Sequence, residues 1–82
     1  MLPEDDAVRM RHMLDAARAV QRFTANRQRA DLATDDMLAF AVVRGLEVIG
    51  EAASRVSEAG RAACPELPWP LIVGMRYRLV HA

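Results

Sequence analysis

Residues Thr34 to Ser57 read TDDMLAFAVVRGLEVIGEAASRVS, and this stretch decides the fold. Thr34 followed by Asp35 and Asp36 supplies an N-cap and an acidic first turn, which satisfies free amides and complements the positive end of a helix dipole. From there Leu38, Val42, Gly45, Ile49, Ala52 and Val56 recur at intervals of four and three, the spacing that aligns one face of an α-helix. A second row, Ala39, Val43, Leu46, Gly50 and Ala53, runs beside the first. Two apolar rows need two sets of partners. One set can be the neighbouring helices of this chain; the other, made mostly of small residues, suits either a second subunit or the same internal bundle. The remaining stripe, Arg44, Glu47, Glu51, Ser54, Arg55 and Glu58, occupies roughly 100° of the helix at 100° per residue. It reads either as a solvated face or as the lining of a polar cleft.

Helices are also expected on both sides. Upstream, acidic Glu4, Asp5 and Asp6 follow Pro3 and open a helix over about Asp5 to Phe23. It places Met10, Met13, Leu14, Ala17 and Val20 on one face. The opposite face carries Arg11, Asp15, Arg18 and Arg22, spaced for weak ion pairs. Asn26 to Ala33 reads as the connection to the long helix. Downstream of Gly60, a short helical piece over Arg61 to Cys64 stops at Pro65. Pro70 then suits the first turn of a last helix, where its missing N–H costs nothing. Leu71, Ile72, Met75 and Leu79 form that helix's expected buried face, and Trp69 clamps its entrance against the core. Strand signals are weak, because β-branched residues rarely alternate with polar ones and only four aromatic residues exist. The fold class is all-α, with three main helices and a short one, in a single domain over residues 1–82.

Composition narrows the function. The 82 residues balance 11 cations against 11 carboxylates, which excludes gripping nucleic acid by bulk positive charge. A local arginine site stays open, since every cation is an arginine, able to hold phosphate in a planar fork. A chain of this size buries only ~60 to 65% of the surface it exposes when unfolded, so it is expected to lean on a second copy or a partner. No charge-free run approaches the ~20 apolar residues of a membrane span, and no apolar signal core follows the acidic start. A cytoplasmic location without membrane contact is expected. Cys64 is alone, which excludes an internal disulfide and suits a reducing compartment.

Most catalytic signatures are missing. His12 and His81 are far apart in sequence and Cys64 has only Glu66 as a ligand-type neighbour, so neither a metal site nor a cofactor is expected. Gly45, Gly50, Gly60 and Gly74 are scattered, and no lysine follows them to make a phosphate loop. What remains is the end of the chain, Gly74 to His81 (GMRYRLVH), where Arg76 is separated from His81 by four residues.

That segment, together with Arg11 to Ala17 (RHMLDAA), Leu46 to Arg55 (LEVIGEAASR) and Pro65 to Trp69 (PELPW), resembles the HepT toxin family of the HEPN superfamily in order and spacing. The resemblance implies a small all-α subunit that forms a homodimer and acts as a metal-independent endoribonuclease on RNA. It also implies a toxin-antitoxin pair, the partner being a minimal nucleotidyltransferase antitoxin of the MntA type. By the same resemblance Arg76 and His81 are the catalytic pair; Arg44, Glu47 and Glu51 of the polar stripe, with Arg78, are the residues expected to line an RNA cleft. An imidazole can take the proton of an RNA 2′-hydroxyl or return one to the leaving oxygen, while a guanidinium braces the charged phosphorane. The expected products are a 2′,3′-cyclic phosphate and a 5′-hydroxyl.

Helix geometry constrains the pair, because positions five apart differ by about 140° around the axis and ~7.5 Å along it. Either His81 lies where the helix bends, or the site is completed across a dimer interface. Two departures from the family pattern stand out. Tyr77 occupies the position after the motif arginine, usually a small polar residue, and the chain stops at Ala82 before the tyrosine that the antitoxin modifies with AMP. No residue here fills that role. The chain therefore resembles a family member lacking its C-terminal part, and the alternative reading is an inactive HEPN domain that only dimerises or binds the antitoxin. A third reading is a nucleotide-binding accessory domain in which Arg76 and Arg78 hold phosphate without any reaction.

Overall fold

The computed structural model describes residues 4–81, with the side chains of residues 5–79. Five helices follow in order: α1 (Glu4–Thr24), α2 (Asp31–Thr34), α3 (Asp36–Ser54), α4 (Glu58–Ala63) and α5 (Trp69–His81). The described residues contain no strand, so the all-α expectation is met. Helix α3 is central, packing along α1 on one side and α5 on the other.

The two predicted rows of α3 find those two neighbours. A Cβ on Gly45 would meet the Val20 side chain of α1, and a Cβ on Gly50 would collide with Arg76 of α5. The second row is thus covered inside the chain at its C-terminal half, where Gly50 and Ala53 are buried by α5. Its other half, Ala39, Val43 and Leu46, is only half-buried. The core gathers where the three long helices meet, around Met13, Ala52, Ala53, Val56 and Trp69.

Several boundaries differ from expectation. The N-cap of α3 is Asp35, not Thr34: its carboxylate accepts from Leu38 N at 3.1 Å and from the Arg27 guanidinium at 2.8 Å. Both hold the Asp35 carboxyl below its usual range, the Leu38 amide more strongly. Thr34 instead closes α2, a single turn within the segment read as a connection, which Arg27 and the Asp31 carboxylate pin at 3.3 Å. At its other end α3 stops at Ser54 rather than Ser57, and Glu58 therefore leaves the polar stripe to open α4. Ser57 is the reason. Its hydroxyl accepts from Gly60 N at 3.1 Å, the N-cap geometry that starts α4 early and absorbs Gly60 into it.

The Ser57 hydroxyl also donates to the Asp6 carboxylate, and Ser57 N donates to the same group at 2.9 Å. Asp6 is 3% exposed and is tied across the fold to the start of α4. Its carboxyl is held below the usual range, chiefly by the hydroxyl and then by the amide. Gly60 is required here, since a Cβ would collide with that carboxylate. Trp69 closes the entrance to α5 as expected, buried at 5% exposure with Nε1 donating to the Cys64 carbonyl at 3.0 Å. Arg61 lies 5.6 Å from the Trp69 ring and donates to the Ala53 carbonyl at 3.1 Å, capping the end of α3.

The buried face of α5 also differs. Leu71 is 68% exposed, whereas Val73 joins Ile72 against the core. The sector facing α3 is centred on Trp69, Ile72 and Arg76, and Leu71 lies roughly 130° away from its centre around the helix.

Candidate functional site

Arg76 sits where α5 crosses α3. Its Cα and Cβ approach Gly50 so closely that only glycine fits opposite, which fixes Arg76 against the central helix; the residue as a whole is half-buried. Among the described residues no ion pair engages it. The nearby acidic stripe is occupied elsewhere: Glu47 reaches Arg44 at 3.8 Å and Glu51 reaches Arg55 at 3.3 Å, both within α3. Helix α5 continues without a break to His81, whose side chain lies outside the described residues. Tyr77 and Arg78 are exposed. Arg78 lies about 160° from Arg76 around α5 and does not share its face.

A polar cleft does form on α3, on the side away from Arg76. It has a volume of about 150 Å³ between α1 and α3 and is lined by Arg9, His12, Arg44, Val48, Glu51, Ala52 and Arg55. Two of the residues assigned to a cleft, Arg44 and Glu51, are in it; Glu47 and Arg78 are not. The α3 residues of the cleft centre about 150° around the axis from Gly50, nearly opposite the Arg76 crossing. One subunit therefore presents two separate polar features.

Sequence reading missed Arg9 and His12. Their signal was available: at 100° per residue Arg9 falls on the line Met13, Ala16, Val20 by which α1 meets α3, and His12 lies to one side of it. On the other side of that line Met10, Leu14 and Ala17 border an apolar groove of about 330 Å³, completed by Ile49, Leu67 and Ile72. Among the described residues no three histidine, cysteine or carboxylate side chains gather as a metal site. No helix of the described residues is long and apolar enough to cross a membrane. Cys64 is half-buried, packed beside the core at the end of α4.

The profile of the family described as Ribonuclease HepT-like matches residues 13–82, which include α3, the α3–α5 crossing and the Arg76 to His81 segment. The chain belongs to this HEPN-type, all-α ribonuclease family. It is 35% identical over 69 residues to a candidate RNase of Methanocaldococcus jannaschii, covering 84% of this chain and 63% of that one. It is also 35% identical over 68 residues to a candidate ribonuclease HepT of Thermococcus cleftensis, covering 83% and 62%. A candidate RNase of Caldanaerobacter subterraneus is 41% identical over 51 residues, covering 62% and 46%. The matched region thus spans less than two thirds of each of these relatives. No solved structure matches the chain.

Proposed function

We propose that this chain is the HEPN domain of an endoribonuclease toxin in which Arg76 and His81 cut RNA without a metal. The observation that supports this most is the state of Arg76. It is fixed to α3 through Gly50, half-buried, and engaged in no ion pair among the described residues, while Glu51 is held by Arg55 and Glu47 lies in loose contact with Arg44. A guanidinium so placed is ready to take a phosphate fork-on, through two parallel N–H···O bonds.

In the reaction the RNA 2′-oxygen attacks the adjacent phosphorus as an imidazole takes its proton. The P–O5′ bond then breaks, and the departing oxygen is protonated to a 5′-hydroxyl, leaving a 2′,3′-cyclic phosphate. Arg76 offsets the extra negative charge of the phosphorane, and His81 is the proton carrier. The continuous helix through His81 keeps the two positions about 140° apart on α5, which favours a site completed by a second copy of the chain. The assembly is accordingly a homodimer, located in the cytoplasm and controlled by a nucleotidyltransferase antitoxin.

The test is incubation with tRNA and total RNA in EDTA, beside Arg76→Ala and His81→Ala. Cleavage by the parent, with a loss of about 10²- to 10⁴-fold in His81→Ala, is expected from removing a general acid–base group. A folded parent that cuts nothing would overturn the catalytic reading and leave a domain that only dimerises or binds the antitoxin.

A further inference from the structure

The α1–α3 cleft concentrates positive charge in a chain that has none to spare. The molecule is neutral overall, yet Arg9, Arg44, Arg55 and His12 line it beside a single carboxylate, Glu51. That carboxylate is committed to Arg55 at 3.3 Å. Arg44 holds only a loose contact to Glu47, at 3.8 Å with its side chain 70% exposed. Among the described residues Arg9 has no ion pair. Two arginines and a histidine therefore line the cleft with no carboxylate of the cleft committed to them.

The rest of the lining, Val48 and Ala52, is apolar and has no side-chain groups that could compete for the donors of those residues. A wall of low polarity strengthens the field of the arginines above it. The volume of about 150 Å³ admits a phosphate group and part of what it is attached to, but not a folded macromolecule.

We propose that this cleft is a phosphate-holding site distinct from the Arg76 crossing, gripping the phosphate of a nucleotide or of an RNA strand through Arg9, Arg44 and the ring N–H of His12. Glu51 tunes it by keeping Arg55 turned to one side and by repelling anions that enter too deeply. A strand held here lies across α3 from Arg76, separated by the helix diameter of about 10 Å, so the cleft positions RNA rather than cutting it. The strand as occupant rests on the ribonuclease reading; the nucleotide does not.

The experiment uses the His81→Ala protein, so that RNA stays intact, and follows the His12 imidazole by proton NMR during titration with inorganic phosphate, 5′-AMP and a short single-stranded RNA. The His12 signal is expected to move with at least one of them. Arg9→Gln with Arg44→Gln should weaken that binding at least tenfold at unchanged helicity, Arg9→Lys with Arg44→Lys should restore part of it, and Glu51→Gln should tighten it. For RNA, each lost phosphate contact should lower the slope of log affinity against log salt by about 0.7. Binding of 5′-AMP alone assigns the site to a free nucleotide, and binding of RNA with that salt slope assigns it to a strand. A His12 signal unmoved by all three probes, or a double glutamine variant that binds like its parent, overturns the proposal. Neither result depends on cleavage, so a chain that cuts nothing could still fill this cleft.

Discussion

Asp6 keeps its charge in a nearly closed environment because Ser57 supplies two donors to it, and this makes the residue a sensor of acid. Its folded carboxyl ionises more readily than an unfolded aspartate, whose value is about 3.9. The stability it contributes is therefore fully present above that value and is lost as pH falls through the lower folded value. Asp35, depressed by the Leu38 amide and then by Arg27, acts in the same direction. Melting temperature measured from neutral pH downward should fall less steeply in Asp6→Ala than in the parent, with the variant already less stable at neutral pH. Parallel curves would show that Asp6 does not titrate with folding. None of this was legible beforehand, since Asp6 reads as one of three acidic residues at a helix start and its partner lies 51 positions away.

Among the helices, the glycines separate close approach from open space. Gly50→Ala would gain about 0.5–1 kcal/mol from leaving a flexible residue out of a helix, but must push back the Arg76 backbone at a cost of about 1–3 kcal/mol. The clash wins. Gly50→Ala should lower stability in urea denaturation and, by displacing Arg76, depress RNA cleavage further than the stability loss alone. Gly74 faces nothing within 4 Å, so Gly74→Ala in α5 should stabilise by about 0.5–1 kcal/mol on the same measurement. If both substitutions stabilised, the tight crossing would be refuted. Periodicity made α1, α3 and α5 readable, and it placed Gly50 and Arg76 on their helices without revealing that they touch. The boundaries around Thr34 and Ser57 differ from expectation for a common reason: the capping side chains Asp35 and Ser57 are each held by a partner from another element or turn, Arg27 and Asp6, which local periodicity does not show.

For the molecule as a whole, the surface carries more apolar area than its three-helix core explains. Met37 is 84% exposed and Phe40 76%, both near the start of α3 and in the sector of its polar stripe, away from the sides that meet α1 and α5. A homodimer that buries this end should scatter light at twice the chain mass, and Phe40→Asp should return it to the monomer with its helicity intact, since an exposed substitution costs the fold within about 0.5 kcal/mol. A monomeric parent would count against the paired site. The two rows of α3 left open whether a second copy covers one of them, and Met37 and Phe40 stand on neither row, so periodicity did not single them out. The Asp6 to Ser57 tie has one more consequence, for the nascent chain. As the ribosome releases α1 first, its acidic start meets only water until α3 and the turn after it have emerged, and domains generally fold as units once their parts are available. The α1–α3 hairpin therefore stays unlocked at one end until Ser57 clears the exit tunnel.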